Sequence, residues 1–225
     1  ERSATAWTFT VVVRVPAGKA VVHSVDYFRA IIDDPFVFGQ ITANHCLGDL
    51  YAMGAQPQTA TAIATLPPAT DEKTEELLAQ LLLGAHRVLR EAGAALVGGH
   101  SAGGDELALG LAVTGLVDEQ KILRKRGLRA GDQLILTKPL GTGTLFAAEM
   151  RRKAKGRWIQ EAIDSMVEPN GRAAEILLQH GATACTDVTG FGLAGHLAEM
   201  TSASGVEVEV FLSRLPILGG AIETA

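Results

Sequence analysis

The sequence predicts a mixed α+β or α/β protein in two domains, 1–118 and 119–225. Three observations carry that expectation. Short runs rich in β-branched residues alternate with longer runs whose apolar residues recur at helical spacing. The alternation continues on both sides of a polar, charged stretch, Asp118–Arg129, which reads as a seam. The 225 residues are 47% hydrophobic, enough for a large core built as one big domain or two small ones.

Each element has its own justification. Residues 10–15 and 20–25 are β-branched runs separated by Pro16-Ala17-Gly18-Lys19, and read as a hairpin with Asp26 at its end. From Phe36 to Gly54 the chain lacks proline and spaces Phe38, Ile41, Leu47, Leu50 and Met53 as a helix, with Asp33-Asp34-Pro35 as its start. Thr59–Leu66 reads as a strand ended by Pro67-Pro68. Thr70–Ala92 is the surest helix. Thr70 or Asp71 caps it, Leu77, Leu78, Leu81, Leu82, Ala85, Val88 and Leu89 form its apolar face, and Gly93 follows. Strands are expected at Ala94–Val97, Leu107–Val117 and Gln133–Thr137, and helices near Gly143–Met150 and Gly171–His180. A short β-favouring segment then delivers Asp187 into a loop turned by Gly190 and Gly192, and a helix follows.

Composition narrows the class. The net charge of −5 argues against sequence-independent nucleic-acid binding. Arg151-Arg152-Lys153-Ala154-Lys155-Gly156-Arg157, the one basic cluster, reads as a solvated helix end or loop. No apolar run reaches the ~18 residues that would span a membrane. Two cysteines, Cys46 and Cys185, make neither a disulfide framework nor a zinc spacing, and point to a reducing, cytoplasmic setting. Both read as buried small hydrophobes rather than nucleophiles.

Three carboxylates on separate elements, Asp26, Asp49 and Asp187, are candidates to hold a hard cation, with Mg²⁺ expected where phosphates also bind. Asp49 stands out as a charge on an otherwise apolar helix. The alternative for each is a helix cap or a loop hydrogen bond. Gly98-Gly99-His100-Ser101-Ala102-Gly103-Gly104-Asp105 follows a strand, and its backbone N–H groups could approach a phosphate; the alternative is a surface turn. Lys138-Pro139-Leu140-Gly141-Thr142-Gly143-Thr144 could place a lysine beside an anion at a helix start. His45, His86, His180 and His196 share no metal spacing.

Taken in order, these stretches resemble selenophosphate synthetase (selenide, water dikinase). They are Val25–Phe28 with Ile32–Phe36, Asn44–Gly54, Gly98–Ser101, Leu109–Gly115, Leu136–Gly143 and Thr186–Leu193. The resemblance runs from about residue 20 to the C-terminus. It implies the two-domain fold of aminoimidazole ribonucleotide synthetase: an N-terminal α/β domain whose strands pair with those of a second subunit, and a C-terminal α+β domain. It also implies ATP near a dimer interface between domains, and conversion of ATP, selenide and water to selenophosphate, AMP and phosphate. Carried over, Asp49 and Asp187 match metal ligands, and Asp26 with Gly98, Gly99, His100 and Ser101 match the nucleotide site.

The sequence departs from that pattern at the N-terminus. The family's glycine-rich loop, with its catalytic Cys or selenocysteine and Lys, has no counterpart in residues 1–20, where the only lysine is Lys19. A further family acid has none either, since Trp7–Val13 contains no carboxylate. The chain is therefore expected to lack its catalytic loop and to carry an incomplete C-terminal domain. Another ATP-using member of the superfamily, such as a thiamine-monophosphate kinase, and a non-catalytic nucleotide-binding or dimerisation module are the rival expectations.

Overall fold

A computed structural model describes residues 14–225. The first strand expected for the hairpin lies largely outside them; Arg14 and Val15 are not in a strand. The chain divides into two compact units, one comprising residues up to Leu50 with Ala55–Gln120, the other Tyr51–Gly54 with Lys121–Ala225.

Among the described residues, the first unit is a four-stranded sheet with two helices. Strands β1 (Lys19–Arg29), β2 (Gln56–Leu66), β3 (Ala95–Gly103) and β4 (Ala108–Asp118) lie in the order β1-β4-β2-β3. β4 pairs antiparallel with β1 and β2, while β2 and β3 are parallel. A parallel pair needs a long crossover, and helix α2 (Asp71–Glu91) supplies it. The Thr70 hydroxyl accepts the Lys73 N–H, and Asp71 and Glu72 complement the positive end of the α2 dipole. Leu81, Ala85, Val88 and Leu89 are buried on one side of α2; each large aliphatic side chain contributes roughly 1.5–3 kcal/mol. Gly93, at φ +75°, lets the chain leave the helix.

Helix α1 (Pro35–Ala52) begins as the sequence predicts. The Asp34 carboxylate accepts the Val37 N–H at 2.9 Å, and Pro35 fills the first helical position. A Cβ on Gly39 would stand 2.1 Å from the Leu81 carbonyl oxygen of α2, and one on Gly84 would stand 2.0 Å from that of Phe36. Two glycines thus let α1 and α2 touch backbone to backbone.

Two expectations in this unit are corrected. β1 does not end at Asp26; β4 supplies ladder partners through Arg29, so Asp26 lies inside the strand opposite Leu111. Gly98–Gly103 is not a loop after a strand but the second half of β3. Residues Gly98 through Gly103 pair in register with Thr61 through Leu66, and this ladder overrides the poor strand preference of glycine. Among the described residues, β1 pairs with β4.

The second unit carries α3 (Thr142–Met150), α4 (Gly156–Val167), α5 (Gly171–Gln179) and α6 (Gly192–Ser204). Leu145, Ala162, Leu218 and Ala221 form a small core, flanked by Phe146, Trp158 and Ile159. The predicted strand at Gln133–Thr137 is absent, and so is the strand before Asp187. A strand exists only through a partner. Ile135 is 68% exposed, and outside the four-stranded sheet the described residues form a single isolated bridge, Leu140 with Ile217. The basic cluster is exposed and runs into α4, a helix the sequence reading did not anticipate.

Candidate functional site

Along residues 41–50 of α1, eight positions are buried, and only His45 and Asp49 are part-exposed. They are four residues apart, so both project from one side of the helix. Ser24 and Asp26 of β1 are two apart, so they share one side of the sheet. The spacings match: four helical residues rise about 6 Å and two strand residues about 6.6 Å. The result is two rungs. The Ser24 hydroxyl donates to the Asp49 carboxylate, and His45 Nε2 stands 3.8 Å from Asp26 Oδ2. The His45 ring is set edge-on against Phe28, with centroids 4.5 Å apart.

Between the rungs lies Cys46, fully buried, its thiol 4.0 Å from the Asp26 carbonyl oxygen. Burial, opposed by a hydrogen bond from the Leu111 backbone and reinforced by the Asp26 and Asp49 charges, pushes the thiol up to about 12. It is an inert packing group at neutral pH, as the sequence predicts.

Gly98–Ser101 stands apart from this pair of rungs. Among the described residues β1 and β3 lie at opposite ends of the strand order, with β4 and β2 between them, so Asp26 and Gly98–Ser101 are three strand spacings, about 14 Å, apart. Gly99 has a packing reason: a Cβ there would lie 2.1 Å from the Ala62 carbonyl oxygen.

In the second unit, Asp187 is half-buried in the segment before α6. Thr189 O accepts the Gly192 N–H at 2.9 Å, closing a turn, and Gly192 adopts φ +67°. Gly190 does not need a left-handed backbone. Lys138 has protein partners of its own. Its ammonium donates to the carbonyls of Ser165 and Glu168, at the C-terminal end of α4, where a cation complements the helix dipole.

Among the described residues, no three His, Cys, Asp or Glu side chains gather in a way that could hold a metal ion. The sequence reading missed the two rungs. The signal was present in the i, i+4 spacing of His45 and Asp49 and the i, i+2 spacing of Ser24 and Asp26, but pairing them requires knowing that α1 packs on β1 in the opposite direction.

Comparison with known proteins places this architecture. The N-terminal domain of AIR synthase related protein matches residues 9–117, and its C-terminal domain matches residues 129–223. The chain belongs to the AIR synthase related protein family and has its mixed α/β fold.

Within that family the chain is similar to curated selenide, water dikinases. The one from Geobacter metallireducens (strain ATCC 53774 / DSM 7210 / GS-15) is 45% identical over 209 residues, covering 93% of this chain and 60% of the relative. The one from Nitratidesulfovibrio vulgaris (strain DP4) is 44% identical over 220 residues, covering 94% and 60%. The chain therefore spans about 60% of the length of these relatives.

Among solved structures, thiamine-monophosphate kinase from Stenotrophomonas maltophilia K279a superposes with a TM-score of 0.81 at 22% identity, covering 95% of this chain and 70% of that one. Hydrogenase maturation protein HypE in complex with ATP gives 0.77 at 19%, covering 96% and 65%. At these identities the likeness is one of fold.

Proposed function

We propose that the full-length protein is a selenide, water dikinase, converting ATP, selenide and water to selenophosphate, AMP and phosphate. The observation that carries this reading is the 45% identity to such an enzyme over 209 residues. Thiamine-monophosphate kinase shares the fold, but at 22% identity.

Asp26, Gly98, Gly99, His100 and Ser101 belong to the nucleotide site, and Asp49 and Asp187 are metal ligands. The donor chemistry fits Mg²⁺, which takes hard oxygen ligands, keeps several waters and is bound by one or two carboxylates plus substrate phosphates. Mg²⁺ would neutralise phosphate charge there. This chain's residues do the positioning: the Ser24 hydroxyl orients the Asp49 carboxylate, and His45 stands beside Asp26. Phosphoryl transfer depends mainly on such positioning and on charge neutralisation. A carboxylate-lined site for an anionic nucleotide makes electrostatic sense only with a cation between them.

The domain division is that of the sequence reading, 1–118 and 119–225. A homodimer formed through the sheet is supported by the side of the sheet facing away from α1 and α2. Val21, Val25, Tyr27 and Ile63 are 46%, 60%, 50% and 47% exposed there, an apolar surface in need of cover. A cytoplasmic setting is supported by Cys46 and Cys185, both free. No helix among the described residues is long and apolar enough to cross a membrane.

The test is product analysis with full-length protein, ATP, Mg²⁺ and selenide under anaerobic conditions. Selenide-dependent AMP and a phosphorus–selenium species are expected. AMP formation at the same rate without selenide would sink the assignment, and ADP as the only nucleotide product would point to a simple kinase.

A further inference from the structure

His196 is a buried histidine that the chemistry above does not use. It lies on α6, five residues into the helix, and is 4% exposed. Helical side chains lean toward the N-terminus, so its ring covers the turn that precedes α6. His196 Nε2 accepts the Thr189 backbone N–H at 3.1 Å, with the Thr189 hydroxyl 3.3 Å away. That hydrogen bond assigns the proton of the neutral ring to Nδ1. Nδ1 has no hydrogen-bond partner and faces Glu199 Oε2 at 3.9 Å, while Glu199 is itself paired with Lys125. The Phe191 ring lies against the imidazole with centroids 5.8 Å apart.

A ring nitrogen buried without a partner costs free energy. An apolar ring of the same shape would avoid that cost, but would leave the Thr189 N–H without its acceptor. Thr189 is held at both ends, its N–H by His196 and its C=O by Gly192 N–H. No side chain caps the N-terminus of α6, so the imidazole is the side-chain acceptor that ties this turn to the helix. Asp187 is two residues upstream of the tied residue.

We propose that His196 is a positioning residue that staples the Thr189–Gly192 turn to α6 and thereby fixes where the Asp187 carboxylate is presented. The effect on ligand binding rests on the reading of Asp187 as a metal ligand; the staple itself does not.

The experiment uses the full-length protein and three variants. His196→Phe keeps a flat ring and removes the acceptor. His196→Gln restores an acceptor at similar reach, and Asp187→Asn removes the carboxylate charge. Two quantities are read, amide exchange at Thr189 without ligand and the Kd for Mg·ATP. His196→Phe is expected to speed exchange at Thr189 about tenfold and to weaken Mg·ATP at least fivefold, with His196→Gln within about twofold of wild type in both. Unchanged exchange at Thr189 in folded His196→Phe overturns the staple. Faster exchange with an unchanged Kd, where Asp187→Asn does weaken binding, overturns its link to Asp187. Should His196→Phe fail to fold, His196→Gln decides: exchange at Thr189 more than about tenfold faster than in wild type overturns the proposal. If Asp187→Asn binds Mg·ATP as wild type does, the metal-ligand reading fails, and the exchange data judge the staple alone.

Discussion

His45 Nε2 and Asp26 Oδ2 face each other at 3.8 Å, one rung above the bond between Ser24 and Asp49. Both side chains of this pair are about one-third exposed, at 34% and 32%. Water therefore screens the attraction, and exposed pairs of this kind contribute about 0.2–1 kcal/mol. A double-mutant cycle with His45→Asn and Asp26→Asn, followed by urea unfolding, is expected to give a coupling energy below about 1 kcal/mol. A coupling above about 2 kcal/mol would mean that the pair is a stabilising element of the fold rather than an accessible polar site.

The contact between α1 and α2 makes a stronger claim on stability. Cβ atoms at Gly39 and Gly84 would meet carbonyl oxygens at 2.1 and 2.0 Å, and both obstacles are backbone, which cannot rotate aside. The helices would have to separate and open the packing around Leu81 and Phe38, both fully buried. Gly→Ala normally helps a helix by about 1 kcal/mol. Here the steric term wins, because overpacking costs about 1–3 kcal/mol and sometimes more. Gly39→Ala and Gly84→Ala are each expected to lower unfolding free energy by about 2–3 kcal/mol, measured by chemical denaturation. An increase in stability for either variant would show that the helices are not in backbone contact.

Those glycines also show what the sequence could and could not reveal. Helix α2 was legible because its signals are local: the Thr70 cap, the first-turn acids, the leucine face and Gly93. The start of α1 was legible for the same reason, from Asp34 and Pro35. What was not legible depended on partners far along the chain. Gly98–Gly103 looks like a loop until β2 is laid beside it, and Gln133–Thr137 looks like a strand although it finds no ladder. The acidic candidates Asp26, Asp49 and Asp187 could be named from sequence. Their neighbours His45, Ser24 and His196 could not, because those contacts arise from helix-on-strand register and from a helix folding back over its own entry turn.

Cys46 gives a prediction in which the sign can be worked out. Burial raises its pKa from an ordinary 9.0 to about 12 in the folded protein. Below pH 9 the thiol is protonated in both states, and its full contribution to stability is present. Above pH 9 the unfolded chain releases the proton while the folded chain keeps it, so alkali favours unfolding and stability falls until about pH 12. By pH 10 this one group should remove about 1.4 kcal/mol. Cys185, whose thiol burial also pushes up, contributes in the same direction, as does Tyr51, so the raw pH slope is a sum. The difference between wild type and Cys46→Ala isolates the term. Urea unfolding at pH 8 and pH 10 is expected to show wild type losing about 1 kcal/mol more than the variant over that interval, whatever the variant's stability at pH 8. Equal losses, or rapid reaction of Cys46 with a thiol reagent in the native protein at pH 8, would mean that α1 opens enough to wet this position, and the two rungs beside it could not then hold their geometry.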